Sequence, residues 1–211
     1  MSLLPANGVV ANVWSNPLVG RLTSPFGLRV HPIFAFLLPH AGTDVAASCG
    51  TPIHAAADGV VVFVGKNFQG RTGNQLVIAH GDGVITRYGH LLSGTTSVKL
   101  GDVVRAGQEV AAVGGNPVTD PDGAGNSTGC HLHFEVNFNN GRTPVDPDAF
   151  LRELGVRLGQ DQPVEPAPFG TGGTDANALI ASFDSDALVT EYVDYIAGVI
   201  PEFRHEPRSD A

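Results

Sequence analysis

The residues best suited to chemistry in this chain are histidines. In the run GCHLHFEV, residues 129–136, two of the eight histidines of a 211-residue protein stand one residue apart. The run has the look of a β-strand, where residues i and i+2 share a face. His131 and His133 then aim their imidazoles into one space, which is half of a metal site; a solvated strand face would carry the same pair. The run HAGTD, residues 40–44, supplies a second half. His40 and Asp44 are ligand types that zinc takes in a tetrahedral shell. On a straight strand they would lie about 13 Å apart, and Gly42 between them, with Pro39 before, allows a bend that brings them together. One further imidazole, from His131 or His133, makes three protein ligands with a fourth position open, the layout of a catalytic zinc site. In RYGHL, residues 87–91, His90 ends an alternating run before a turn and is placed to move protons if it faces the same cleft.

The elements that must position these residues read as strands. Between residue 18 and about residue 145, short apolar or alternating runs are separated by Gly, Asp-Gly and Gly-Asp punctuation. GRLTSPFGLRV, GTDVAAS, ADGVVVFVG, NQLVIAHG, VITRYGHL, EVAAVGG and CHLHFEVNF are those runs, and no helical period interrupts them. The expected fold class is an all-β catalytic domain of antiparallel sheets over residues 18–154, after a lead-in over 1–17. Asp146 as N-cap, Pro147 at the first helical position and Gly155 as stop predict one short helix, DPDAFLREL. Residues 155–174 have linker composition. Residues 175–211 form an acidic tail in which Leu179, Phe183, Leu188, Tyr192 and Ile196 recur near a helical period. Asn74, in GNQLVI, is read both as a substrate-backbone partner and as a turn residue beside Gly73. His80 and His54 are read as structural, His31 as a turn or cleft residue and His205 as solvated.

Cys49 lies just beyond the HAGTD run and Cys130 just before His131. If their strands are antiparallel neighbours a disulfide is geometrically accessible; buried free thiols are the alternative, and thiolate metal ligation is the weakest of the three readings. The formal charge of −9 leaves no basic stripe for nucleic acid. The acidity is uneven, residues 152–211 holding eleven acids and four bases. No apolar run reaches the length of a membrane span. The N-terminal MSLLPANGVVANVWS lacks the basic region and unbroken apolar core of a signal peptide.

In order along the chain, GLRVHP, HAGTD, ADGVVVFVG, GNQLVIAHG, YGHL, GDVVRAGQEVAAVG and STGCHLHFEV resemble the zinc-dependent peptidoglycan endopeptidases of the lysostaphin and LytM type, peptidase family M23. The resemblance covers about residues 20–150, roughly two thirds of the chain. It implies zinc held by His40, Asp44 and the second histidine of the pair, His133. It implies His131 and His90 as catalytic histidines, with His131 as general base and His90 as oxyanion stabiliser or proton donor, or the two exchanged. Its implied substrate is the peptide portion of peptidoglycan, outside the cytoplasm. Joined to the N-terminus and the acidic tail, it points to a phage lysin or a virion-associated wall hydrolase docked to tail proteins through residues 175–200.

Two segments depart from the family pattern. PIFAFLLP, residues 32–39, is apolar for a loop beside a site and is read as packing first, with a wall of the substrate cleft or a plug against a partner as alternatives; GGNPVTDPDGAGNSTGC, residues 114–130, is read as a polar cleft loop. Two rival functions are set against the enzyme. GDVVRAGQEVAAVG also resembles biotinyl and lipoyl carriers, but the only lysines, Lys66 and Lys99, are not in the hairpin a carrier needs. A structural or adaptor protein with a blocked cleft would carry the same motifs.

Overall fold

The computed structural model describes residues 13–30, 37–66 and 72–161. The strands are β1 Arg21–Ser24, β2 Gly27–Val30, β3 Leu37–His40, β4 Thr43–Ala46, β5 Pro52–His54, β6 Gly59–Lys66, β7 Asn74–Ala79, β8 Ile85–Gly89, β9 Val103–Val104 and β10 Glu109–Ala112. A single helical turn follows, α1 Pro121–Ala124, then β11 His131–Phe138, β12 Thr143–Val145 and α2 Pro147–Glu153. The large sheet runs in the order β1-β4-β11-β8-β7-β6-β9, with β12 also on β11. Its neighbours are antiparallel throughout. Two further antiparallel pairs, β5 with β10 and β2 with β3, complete the structure. The chain therefore has the antiparallel, mostly β architecture its strand-and-turn punctuation predicts.

β11 lies at the centre of the arrangement. Its alternation sends Leu132, Phe134 and Val136 into the main core with Val45, Tyr88, Leu76, Ile78, Ile53 and Phe150. His131, His133, Glu135 and Asn137 lie on the opposite face, and the last three of these are also buried. One edge of β11 takes β4 along its first half and β12 along its second; the other edge takes β8. Burial of both faces thus separates an apolar core from a polar layer along a single eight-residue strand.

α2 starts where the sequence places it. Asp146 accepts from the backbone N–H groups of Asp148 and Ala149, satisfying donors the first turn leaves free. Its Phe150 packs edge-on against Trp14, ring centroids 4.9 Å apart.

The packed unit runs past residues 18–154 at both ends. Trp14 belongs to the core, and Val156 and Leu158, inside the segment of linker composition, are buried. The two ends hold each other. The Gly20 N–H donates to the Gly159 carbonyl, 2.8 Å; the Asn16 amide donates to the Gln160 carbonyl, 2.7 Å, and accepts from the Gly159 N–H, 3.0 Å. Residues 162–174 of the linker and the tail over 175–211 lie outside the described residues, as do His31 and His205. Of PIFAFLLP, residues 37–39 belong to β3, where Leu37 is exposed, Leu38 half-buried and Pro39 buried. Cys49 and Cys130 are joined by a disulfide, Cα atoms 5.2 Å apart. Among the described residues no helix is long and apolar enough to cross a membrane.

Candidate metal centre

Local backbone geometry brings the side chains together. His40 closes β3 opposite Gly27 of β2, residues 41–42 bend, and Asp44 enters the large sheet opposite His133 of β11. The bend needs Gly42 for space. A Cβ there would run into the Phe134 carbonyl oxygen and crowd Glu135 Cγ at 2.9 Å and His133 Cε1 at 3.0 Å. His133 is opposite Gly89 at the end of β8, which delivers His90 to the same place. His90 has left-handed backbone, φ 59°, sparsely populated for a non-glycine residue. Its N–H donates to Thr72, 2.6 Å, and its carbonyl accepts from Gly114, 2.9 Å.

Three atoms converge. His40 Nε2 and His133 Nδ1 are 3.0 Å apart, His133 Nδ1 and Asp44 Oδ1 3.0 Å, and His40 Nε2 and Asp44 Oδ1 3.2 Å. Among the described residues these three form a group able to hold a metal ion. Four tetrahedral ligands at about 2.0 Å from zinc are about 3.3 Å from one another, so the triangle is nearly one face of that tetrahedron. His40 Nδ1 donates to the Pro25 carbonyl, 2.8 Å, which leaves its Nε2 with a lone pair. Nitrogen and carboxylate donors at this spacing suit zinc, and the residues fit it.

The other two histidines border this triangle without closing it. His131 Nδ1 donates to the Gly129 carbonyl, 2.8 Å, with Ser127 Oγ 3.3 Å away; its Nε2 lies 3.7 Å from Asp44 Oδ1. His90 Nδ1 donates to the Ala124 carbonyl, 2.6 Å. The two rings are 4.5 Å apart by centroid. Each therefore has one nitrogen tied to the backbone and the other, Nε2, without a proton and available.

Electrostatics distinguishes these histidines. Burial, then the neighbouring His131 and His133, push His90 down to about 3. Burial pushes His131 below its ordinary value as well, and Asp44 opposes that. Both are neutral near pH 7. Burial works against the charged form of His133 too, but the carboxylates of Asp44 and Glu135 outweigh it and raise His133 to about 9 in the metal-free protein. Burial alone would raise the Asp44 carboxyl; bonding to His133 and His40 instead holds it well below the usual range.

Glu135 and Asp120 were not singled out from the sequence, unlike the loop over 114–130, Asn74, His80 and His54. Glu135 Oε1 is 2.9 Å from His133 Nε2; its signal is the i, i+2 alternation continuing past His133. The loop over 114–130 holds the histidines through the Ala124 and Gly129 carbonyls. Asp120 in that loop caps α1 and accepts from the Ser93 N–H and hydroxyl, 2.8 and 2.7 Å. The Asn74 amide donates to the Leu91 carbonyl, 3.2 Å, and to Ser93 Oγ, 3.0 Å, bracing the segment after His90. His80 is buried, its Nδ1 donating to the Asp58 carbonyl, 2.8 Å, and its Nε2 2.7 Å from Thr86 Oγ1. His54 ends β5 opposite Glu109.

The sequence model of Peptidase family M23 matches residues 38–147, the span that holds every side chain of the centre. The chain belongs to peptidase family M23. Among relatives of this M23 chain, the peptidoglycan DD-endopeptidase ShyB of Vibrio cholerae is 40% identical over 127 residues, 60% of this chain and 26% of that protein. The crystal structure of a zinc containing peptidase from Vibrio cholerae superposes with a TM-score of 0.52 at 36% identity, covering 67% of this chain and 39% of that one. The catalytic domain of the antimicrobial peptidase lysostaphin from Staphylococcus simulans superposes with a TM-score of 0.53 at 31% identity, covering 63% of this chain and 92% of that domain. The M23 chain spans about a quarter of the length of ShyB and of the Neisseria DD-carboxypeptidase/endopeptidase Mpg, two of the curated relatives it matches.

Proposed function

We propose that this chain is a zinc-dependent endopeptidase that hydrolyses peptide bonds in bacterial peptidoglycan, with His40, Asp44 and His133 as metal ligands and His131 and His90 as catalytic histidines. The observation that carries the reading is the triangle of three donor atoms at 3.0–3.2 Å beside two neutral histidines. The relatives support it: one is named a peptidoglycan DD-endopeptidase and one is described as a zinc containing peptidase.

A zinc ion held there supplies Lewis acidity, polarising a peptide carbonyl and making a water acidic enough to ionise near neutral pH. The protein's own groups handle the protons. With Nδ1 bound to the Gly129 carbonyl, His131 presents Nε2 to take the proton of the attacking water. His90, anchored by Nδ1 on the Ala124 carbonyl, presents its Nε2 at the same space. Because burial depresses His90 strongly, to about 3, it is the poorer base. The base role therefore falls to His131, whose imidazolium, once formed, returns the proton to the leaving amine, and neutral His90 orients the reacting groups. Until it gives that proton up, the His131 imidazolium also stabilises charge developing on the scissile carbonyl oxygen.

The substrate places this activity outside the cytoplasm. The finer setting, a phage-encoded enzyme docked on tail proteins through residues 175–200, draws its support from the acidic, helically periodic composition of that segment. Recovery of the chain with purified, disrupted virions tests it, and absence from the particles refutes it.

The experiment for the activity is mass spectrometry of fragments released from several purified peptidoglycans by the zinc-loaded protein, against a chelated sample and His133→Ala. Peptide-cleaved fragments from the zinc-loaded wild type alone establish the endopeptidase and name its bond. Zinc uptake without cleavage of any wall would refute it in favour of a non-catalytic M23 protein.

A further inference from the structure

The polar face of β11 continues beyond the histidines, and its continuation is a buried charge network. Glu135 divides its two oxygens. Oε1 faces His133 Nε2 at 2.9 Å; Oε2 accepts from Arg87 Nη1, 3.2 Å, and from Asn137 Nδ2, 3.1 Å. Arg87 is the cross-strand partner of Glu135 on β8, and its Nη2 donates to the Gly141 carbonyl in the β11–β12 turn, 3.2 Å. Glu135 and Asn137 are buried. A buried ion pair contributes little net stability, since desolvation offsets its attraction. This one is aimed at a single atom, the outward nitrogen of a histidine.

We propose that Glu135, anchored by Arg87 and Asn137, is the positioning residue that makes His133 a metal ligand through Nδ1. In the neutral ring that binds a metal, the anionic acceptor at 2.9 Å keeps the remaining proton on Nε2. The Nδ1 lone pair is thereby left facing His40 Nε2 and Asp44 Oδ1 at 3.0 Å each. Imidazole binds a metal through the nitrogen its outer partner leaves bare, and such partners govern affinity. Arg87 keeps Oε2 engaged, so the carboxylate cannot rotate away from the ring. The inference rests on the metal reading above and adds what selects the nitrogen.

The test is made on the full chain, with zinc affinity measured by competition with a chromophoric chelator and the His133 ring read by long-range proton–nitrogen NMR. Wild type is expected to carry the proton on Nε2 and the metal on Nδ1. Glu135→Ala is expected to bind zinc roughly 10- to 100-fold more weakly and to lose the single Nε2–H form, with far-UV circular dichroism unchanged. Glu135→Gln, which retains an acceptor but not the charge, is expected to restore the tautomer and part of the affinity. If Glu135→Ala does not fold, Glu135→Gln and Arg87→Met carry the same two readouts, each expected to weaken zinc at least severalfold. Variants that bind zinc like the wild type with the Nε2–H form intact overturn the positioning role and leave the metal reading standing. Wild type that takes up no zinc overturns both.

Discussion

Gly42 is where a single added methyl group should damage the metal centre through space alone. Its backbone is not in the left-handed region, so conformation does not demand glycine; the close approach of β11 does. In Gly42→Ala the new Cβ meets the Phe134 carbonyl oxygen, Glu135 Cγ at 2.9 Å and His133 Cε1 at 3.0 Å. Restoring ordinary carbon contacts of about 3.5 Å requires the bend to retreat by about 1 Å. His40 sits on that bend, and its Nε2 is 3.0 Å from His133 Nδ1. A retreat of about 1 Å opens the pair to about 4 Å, past the roughly 3.3 Å edge of a zinc tetrahedron. Overpacking of this kind costs about 1–3 kcal/mol, a fall of roughly 3–12 °C in Tm for a unit this size. Misplacing a functional group by about 1 Å costs activity on the order of a hundredfold.

The assay is thermal unfolding with and without zinc, together with chelator competition. The metal-free protein should melt lower by the overpacking cost, and the added stabilisation by zinc should shrink as well, because the ligand triangle itself is spread. A Gly42→Ala protein that melts within about 1 °C of wild type and binds zinc equally would refute the reasoning, because the β3–β4 bend would then have room the structure denies it.

Three other outcomes follow from the same geometry. Cys49 and Cys130 are 81 residues apart in sequence, and a cross-link closing a loop of that length stabilises by about 4.5 kcal/mol at most; urea unfolding should show a loss of about 2–4 kcal/mol on reduction or in Cys49→Ser with Cys130→Ser, and an unchanged midpoint would contradict this. Burial lowers His80 to about 4 from about 6.5 in an unfolded chain, so the unfolded state binds the extra proton first. His80 therefore costs nothing above about pH 6.5, and stability is lost as pH falls from there toward 4, by about 3 kcal/mol in full; His80→Gln should flatten urea-derived stability over that window, and an equal slope in both proteins would count against it. His131→Ala and His90→Asn, the latter chosen because asparagine tolerates positive φ, should each lower kcat by about 10²–10⁴-fold while zinc affinity by chelator competition stays within about threefold; loss of zinc from either would move that histidine into the ligand set.

Much of the centre was legible because its residues report their geometry locally. HAGTD contains both ligand types and the glycine that lets them meet, and HLHFE shows the period of a strand. Less was legible where partners are remote. Nothing near His90 in sequence indicates that its ring would be held by the Ala124 carbonyl, 34 residues away, because any backbone carbonyl serves. β5 and β12 are three residues each, too short for alternation to show. The stretch after Gly155 reads as linker from its glycines and polar residues. Val156 and Leu158 are nonetheless buried at i and i+2, the spacing of one strand face, and Gly159 meets Gly20 where a Cβ would strike the Gly20 carbonyl at 2.6 Å.

The pair His131 and His133 shows why spacing could deliver two histidines to one site and not divide their labour. On the strand they are equivalent by alternation, and each could complete a set with His40 and Asp44. Register breaks the equivalence. His133 lies opposite Asp44, while His131 lies opposite Ala46, so the Nδ1 of His133 reaches the carboxylate at 3.0 Å and the Nε2 of His131 stops at 3.7 Å. The outer partners then sharpen the division. A carboxylate behind His133 makes its ring more basic and a better ligand, whereas the neutral Gly129 carbonyl behind His131 leaves a ring that burial keeps neutral. A base must be free to gain and release a proton, and a ligand must not. Exchanging the two environments, with an acid beside His131 and none beside His133, would be expected to exchange the roles before any ligand was changed.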